Sequence, residues 1–311
     1  MRRVIISTLA LAVIVAGCSS EQEGTTTSTG SDGSAIFSTT ISRVGDTQWE
    51  SGDQVGLMVT KDNAIYDAAT YKYNALYDAA PDGSLTPNAG DPDNKFYYPL
   101  DGTDLDFYAY YPYSELLNAT DESYPIDLSD QSIPTKLDFM EASTRGNGVT
   151  YSKSNPNVSL TFNRRMAKLT FIVEAGEQVE LSNITSISME GFYTEASYSM
   201  SENSFELIDN VMSITPYEGA SSTYSALLIP MEEANGDAIT EHESPCVIFY
   251  TDLGVECNDT VTWVLGDYDI ILKAGQHNIY TVRINHDGVI VSGGIGSWDS
   301  SESEELIVVE N

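Results

Sequence analysis

Apolar and polar residues alternate with a period of two through most of this chain. Val158-Ser159-Leu160-Thr161-Phe162 alternates strictly, and Leu105, Phe107, Ala109 and Tyr111 fall on one face of the run 105–111. That period sends successive side chains to opposite faces of an extended backbone, so these runs predict half-buried β-strands. Further strands are predicted at 35–41, 55–59, 95–98, 169–173, 184–189, 224–229, 247–250, 261–265 and 277–284. Asp287-Gly288 separates the last of these from Val289-Ile290-Val291 and predicts a hairpin. No long run repeats at the helical period; only Met140–Ser143 and short pieces within 62–77 invite a helix. Many short strands without crossover helices predict an all-β chain of antiparallel sandwiches. The stretch 143–156, rich in Ser, Asn and Gly, is the expected boundary between an N-terminal β-sandwich over 35–154 and a C-terminal one over 155–311.

The N-terminus follows a different pattern. Arg2 and Arg3 precede an apolar run from Val4 to Ala16, broken only by Ser7 and Thr8. This run has the size of a signal-peptide core and is too short to span a bilayer. It ends in Val15-Ala16-Gly17-Cys18, small residues set directly before a cysteine, which resembles the lipobox of bacterial lipoproteins. Residues 1–17 are therefore expected to be a cleaved signal and Cys18 the lipid-bearing N-terminus. Residues 18–34, rich in Ser, Thr, Gly and Glu, read as a flexible tether. Its acids Glu21 and Glu23 resemble the surface-export signal of Bacteroidetes lipoproteins.

Composition narrows the function. The formal net charge is −33, and loss of Arg2 and Arg3 makes it more negative still. Such a surface repels phosphate backbones, which excludes nucleic acid as a partner. With 19 Tyr and 10% aromatics the chain has the material for a packed core. Cys246 and Cys257 form an even pair: in an oxidising compartment either a disulfide or two buried thiols is expected. His242, His277 and His286 have no metal-ligand spacing, and no metal or cofactor is expected. The acids of Asp91-Pro92-Asp93-Asn94 and Asp101-Gly102-Thr103-Asp104 sit in turns, where Asp and Asn serve the backbone. A Ca²⁺ reading competes, but neither cluster has EF-hand spacing. No nucleophile elbow or phosphate loop is present, and no catalytic residue is assigned.

Three segments carry a family resemblance. They are Trp49-Glu50-Ser51-Gly52-Asp53-Gln54-Val55-Gly56-Leu57, Phe107-Tyr108-Ala109-Tyr110-Tyr111-Pro112-Tyr113, and Val158–Phe162 running into Met166-Ala167-Lys168-Leu169. Their order and spacing, behind a lipoprotein signal, resemble the fimbrillin family of the Bacteroidetes, in its Mfa-like branch. The third segment departs from the pattern: Asn163-Arg164-Arg165 stands where a histidine is frequent.

The resemblance implies two tandem transthyretin-like sandwiches in a non-enzymatic subunit of cell-surface fimbriae. It implies export to the outer membrane as a lipoprotein and removal of the lipidated segment by an arginine-directed protease. A strand from a neighbouring subunit then fills the vacated groove. Arg43-Val44, right after the first strand, is the expected processing site, against an ordinary turn residue. Leu306-Ile307-Val308-Val309, within 304–311, is either a donor strand or an edge strand of its own sandwich. A second, unpolymerised reading is a monomeric surface lipoprotein whose Tyr108–Tyr113 cluster stacks on sugars or peptides; alternatively, those tyrosines fill the core and cover its outer face.

Overall fold

The structure is a computed structural model that describes residues 32–42, 48–61, 64–65, 73–117, 123–208, 210–232, 245–252, 260–298 and 307–309. The described residues form strands and short 3₁₀ turns.

The N-terminal half contributes β1 (Ile36–Ile41), β2 (Gln54–Lys61), β3 (Ala64–Ile65), β4 (Ala75–Ala79), β5 (Ser84–Pro87), β6 (Asp106–Tyr111), β7 (Ser123–Asp127), β8 (Met140–Ser143) and β9 (Asn157–Arg164). Their hydrogen bonds run β2-β4-β5-β1-β9-β8-β6, and β6 pairs back with β2. The sheet therefore closes on itself, with β3 added at the end of β2. Every pair is antiparallel except β1 with β9, which run parallel over Ile36–Ile41 and Asn157–Phe162. The alternation in β9 predicts its burial: Val158, Leu160, Phe162 and Arg164 are buried, and the residues between are exposed. The enclosed core joins Phe37, Trp49, Tyr77, Phe96, Phe107, Leu160 and Phe162.

The C-terminal half contributes β10 (Ala167–Ala175), β11 (Ile184–Glu190), β12 (Glu195–Ser199), β13 (Ser204–Leu207), β14 (Tyr217–Glu218), β15 (Thr223–Leu228), β16 (Cys246–Thr251), β17 (Thr260–Val264), β18 (His277–Asn285), β19 (Gly288–Gly296) and β20 (Ile307–Val309). One sheet runs β14-β15-β10-β18-β19-β20 and a second runs β11-β16-β17. Leu169, Phe171 and Val282 of the first pack with Met189, Phe249 and Trp263 of the second. The predicted hairpin forms, with Asn285 opposite Gly288 and His286 and Asp287 as its two loop residues.

Three expectations change. The first sheet does not end at 154: β9 is one of its central strands, and the chain passes into β10 through Arg165 and Met166 alone. The Ser/Asn/Gly stretch is a loop inside the first unit, whose Tyr151 is itself buried. Second, Met140–Ser143 is strand β8, and the described part of 62–77 holds β3 and the start of β4 in place of a helix, because sheet pairing overrides a weak local helical pattern. Third, 95–98 is not a ladder strand. Lys95 follows a 3₁₀ turn, Tyr97 makes one bridge to Ser34, and Phe96 and Tyr98 turn into the core.

A third small sheet, β13-β12-β7, joins the halves: β7 leaves the first unit and pairs with β12 of the second. It covers the outer face of β6. The tyrosines that alternation assigned to the outside, Tyr108 and Tyr110, are consequently buried with Met58, Phe139, Tyr198 and Ile229.

Candidate functional site

Strand β1 lies between two neighbours, β5 on one edge and β9 on the other. Its inward residues are Phe37 and Thr39, with Ile41 packed at the margin. Phe37 presents its ring edge-on to Tyr77 at 5.5 Å, Phe96 at 6.4 Å and Phe107 at 5.1 Å. This is the favoured arrangement of aromatic quadrupoles. Thr39 is 7% exposed and uses its hydroxyl in both directions. It donates to the Gly83 carbonyl at 2.8 Å and accepts from the Trp49 indole Nε1 at 2.7 Å. The Thr39 amide donates to the same carbonyl at 2.7 Å. Gly83 has φ +83° and lies so close that a Cβ there would meet the Thr39 carbonyl oxygen at 2.4 Å. Trp49 is held against Phe162 at 5.1 Å and Tyr111 at 5.3 Å, so its indole has a fixed direction. The groove around β1 thus combines an aromatic slot with, two residues on, a buried polar slot.

At the other end, β20 pairs antiparallel with β19, Ile307 opposite Gly293 and Val309 opposite Val291. In this structure the run forms the edge strand of its own sandwich; Leu306 lies outside the described residues. The approach to it is fixed at Trp298. Arg164 lies over the indole at 4.6 Å, and Lys168 Nζ donates to the Trp298 carbonyl at 2.8 Å. Beside it His277 bonds the Ser297 carbonyl and Thr170 Oγ1, each at 2.7 Å. Burial, with Lys168 nearby, lowers its pKa to about 4, so the ring is neutral.

Buried charge also gathers where the two halves meet. Arg164 pairs with Asp138 at 2.9 Å, and Arg165 pairs with Glu141. Glu141 further accepts from the Tyr108 hydroxyl and, at 3.1 Å, from Tyr198 across the junction. Burial, and then Glu141, push the Tyr108 phenol well above its ordinary value. Sequence reasoning noted Arg164 and Arg165 only as a departure from a pattern. Two arginines next to an apolar strand were the available signal.

Of the sequence candidates, Cys18, Arg43, Val44, Cys257 and His242 lie outside the described residues. Cys246 is a half-buried free thiol opposite Val264, its pKa raised by burial and by Glu190. The Tyr108–Tyr113 cluster is no exposed platform: Tyr108 and Tyr110 are buried, and Tyr111 donates to Asp53 at 3.0 Å. Asp101 accepts from the Thr103 amide and hydroxyl, and Asp82 does the same for Ser84. Among the described residues no three His, Cys, Asp or Glu side chains converge as metal ligands would.

A closed β-sheet unit, a β-sandwich and a sheet stitching them together define an all-β class of protein. The match to the fimbrillin-like family covers residues 42–298, and the chain belongs to that family. The family comprises structural and adhesive fimbrial subunits, not enzymes, which places this chain among the components of cell-surface fimbriae that associate with other subunits. A relative from Bacteroides uniformis, named "Putative fimbrium subunit Fim1C", is 26% identical over 96% of this chain and 95% of its own length. Two crystal structures named as putative cell adhesion proteins share the fold. That from Bacteroides uniformis has a TM-score of 0.66 at 24% identity, covering 86% of this chain and 99% of its own. That from Bacteroides ovatus has a TM-score of 0.63 at 20% identity, covering 86% and 98%.

Proposed function

We propose that this fimbrial subunit is exported to the outer membrane as a lipoprotein acylated on Cys18, trimmed between Arg43 and Val44, and assembled by strand exchange. The observation that carries the reading is the place of β1. A strand near the lipobox fills an interior slot of the first sheet, bonded on both edges, and Arg43 follows it by two residues. Its departure would leave two unpaired backbone edges and an open aromatic slot. An incoming strand would satisfy both, with ladder hydrogen bonds giving affinity and alternate pockets giving register. Among the described residues the β20 run lies at the edge of its own sheet, paired on one side with β19, so its release as a donor strand would open no interior ladder.

The test is the N-terminal residue and oligomeric state of the protein recovered from the native cell surface. A chain starting at Val44 in SDS-resistant polymers is the expected result. An acylated Cys18 on a monomer would refute strand exchange and leave a monomeric surface lipoprotein that binds a sugar or peptide ligand. Polymers that persist after deletion of 306–311 would remove that run as donor.

A further inference from the structure

The groove around β1 has a chemical requirement that this chain's own C-terminal run does not meet. This argument rests on the strand-exchange reading above. When β1 leaves, Thr39 goes with it, whereas Trp49 and Gly83 stay behind. The Trp49 indole N–H then points into a buried slot without its acceptor. A buried donor left unpaired costs far more than an ordinary hydrogen bond contributes. An occupant must therefore supply a hydroxyl at the Thr39 position and a large flat ring two residues before it, among Tyr77, Phe96 and Phe107.

Residues 304–311 read Glu-Glu-Leu-Ile-Val-Val-Glu-Asn and hold neither a hydroxyl nor a ring. Their side-chain acceptors are the Glu carboxylates, which would bury a charge, and the Asn311 amide, which in the direction of β1 would set Val309 in the aromatic slot. Ser301 or Ser303 could reach the polar slot, but in either strand direction Asp299, Ser301, Ser303 or Glu305 would then occupy the aromatic slot. Trp298 and Ser300 have the right spacing. Trp298, however, is already committed within its own chain, beneath Arg164 and beside His277.

We infer that the groove is built for a strand of a different subunit, one carrying an aromatic residue and, two positions on, a serine or threonine. Head-to-tail pairing of identical copies through 304–311 is disfavoured. The Thr39 slot sets the choice of partner, because the ladder hydrogen bonds are common to any strand.

The test uses the full chain with a site-specific protease sequence inserted between Ser42 and Trp49, cut while folded. The nicked protein is offered fluorescent peptides: the sequence 35–42, its Thr39→Ser and Thr39→Val variants, and the sequence 304–311. The 35–42 and Thr39→Ser peptides should displace the nicked strand equally. The Thr39→Val peptide keeps the shape and loses the hydroxyl, and should bind about tenfold more weakly or worse, the factor set by one unpaired buried donor. Peptide 304–311 should bind more weakly still. In a Trp49→Phe protein the difference between the threonine and valine peptides should shrink to what the hydroxyl's remaining bond to the Gly83 carbonyl contributes. Equal binding of the Thr39→Val peptide, or of 304–311, overturns the inference while leaving strand exchange intact. If no peptide enters, its own strand included, strand exchange falls and the partner rule falls with it.

Discussion

Replacing Phe37 by alanine tests how firmly β1 is held. The ring is 3% exposed and meets Tyr77, Phe96 and Phe107 edge-on. Removing a fully buried phenyl group loses its transfer free energy and leaves a cavity, together about 3–5 kcal/mol. Three rigid aromatic walls and a closed sheet leave little room for collapse, which places this site toward the upper part of that range. A loss of that size is a large share of the roughly 5–15 kcal/mol that holds an ordinary domain together. The assay is native-state hydrogen exchange at the amides of Ile36–Ile41, alongside urea unfolding. The Thr39 amide, bonded to Gly83 at 2.7 Å, is the most telling probe. Its exchange should quicken at least a hundredfold, the factor that about 3 kcal/mol makes. Thr40→Ala, on the exposed face of the same strand, should stay within about 0.5 kcal/mol. If Phe37→Ala costs less than about 1 kcal/mol, or leaves protection in β1 unchanged, the aromatic slot does not anchor the strand and the groove argument fails.

Two further predictions concern the junction and the tail. Arg165→Met should destabilise the protein by about 3–5 kcal/mol, because it strands the Glu141 charge in the buried junction, while the double variant Arg165→Met with Glu141→Gln, which removes the charge and keeps an acceptor for Tyr108 and Tyr198, should recover much of that loss; urea titration of the single and double variants beside the parent protein checks it, and equal losses would refute the pairing. His277 titrates at about 4 when folded and near 6.5 when unfolded, so the unfolded chain binds more protons between those values. Its contribution to stability is complete above about pH 6.5 and disappears as pH falls through 4, amounting to about 3 kcal/mol. The slope of stability against pH across that window should flatten in His277→Gln, and identical slopes would refute the buried neutral ring.

The sequence by itself determined the strands and their faces. Strict alternation in 158–162 and the shared face of Leu105, Phe107, Ala109 and Tyr111 follow from the two-residue repeat of an extended backbone, which is local geometry. The hairpin at 285–288 was legible from its Asp287-Gly288 pair between two strand-like runs, also a local signal. The family segments were also legible, since Trp49, Phe107 and Leu160 are core residues at fixed spacings. Which strand lies beside which is a long-range matter, and only the tertiary structure decided it. Nothing near residue 157 says that β9 runs parallel to β1 rather than opening the second sandwich. Nothing near residue 123 says that β7 crosses to β12 and turns Tyr108 and Tyr110 from an outer surface into a core. The contact of Thr39 with Trp49, the clamp on Trp298 and the Glu141 cluster each join residues from separate segments. Alternation records only which side of a strand is dry, and the partner that keeps it dry is chosen by the packing of the whole chain.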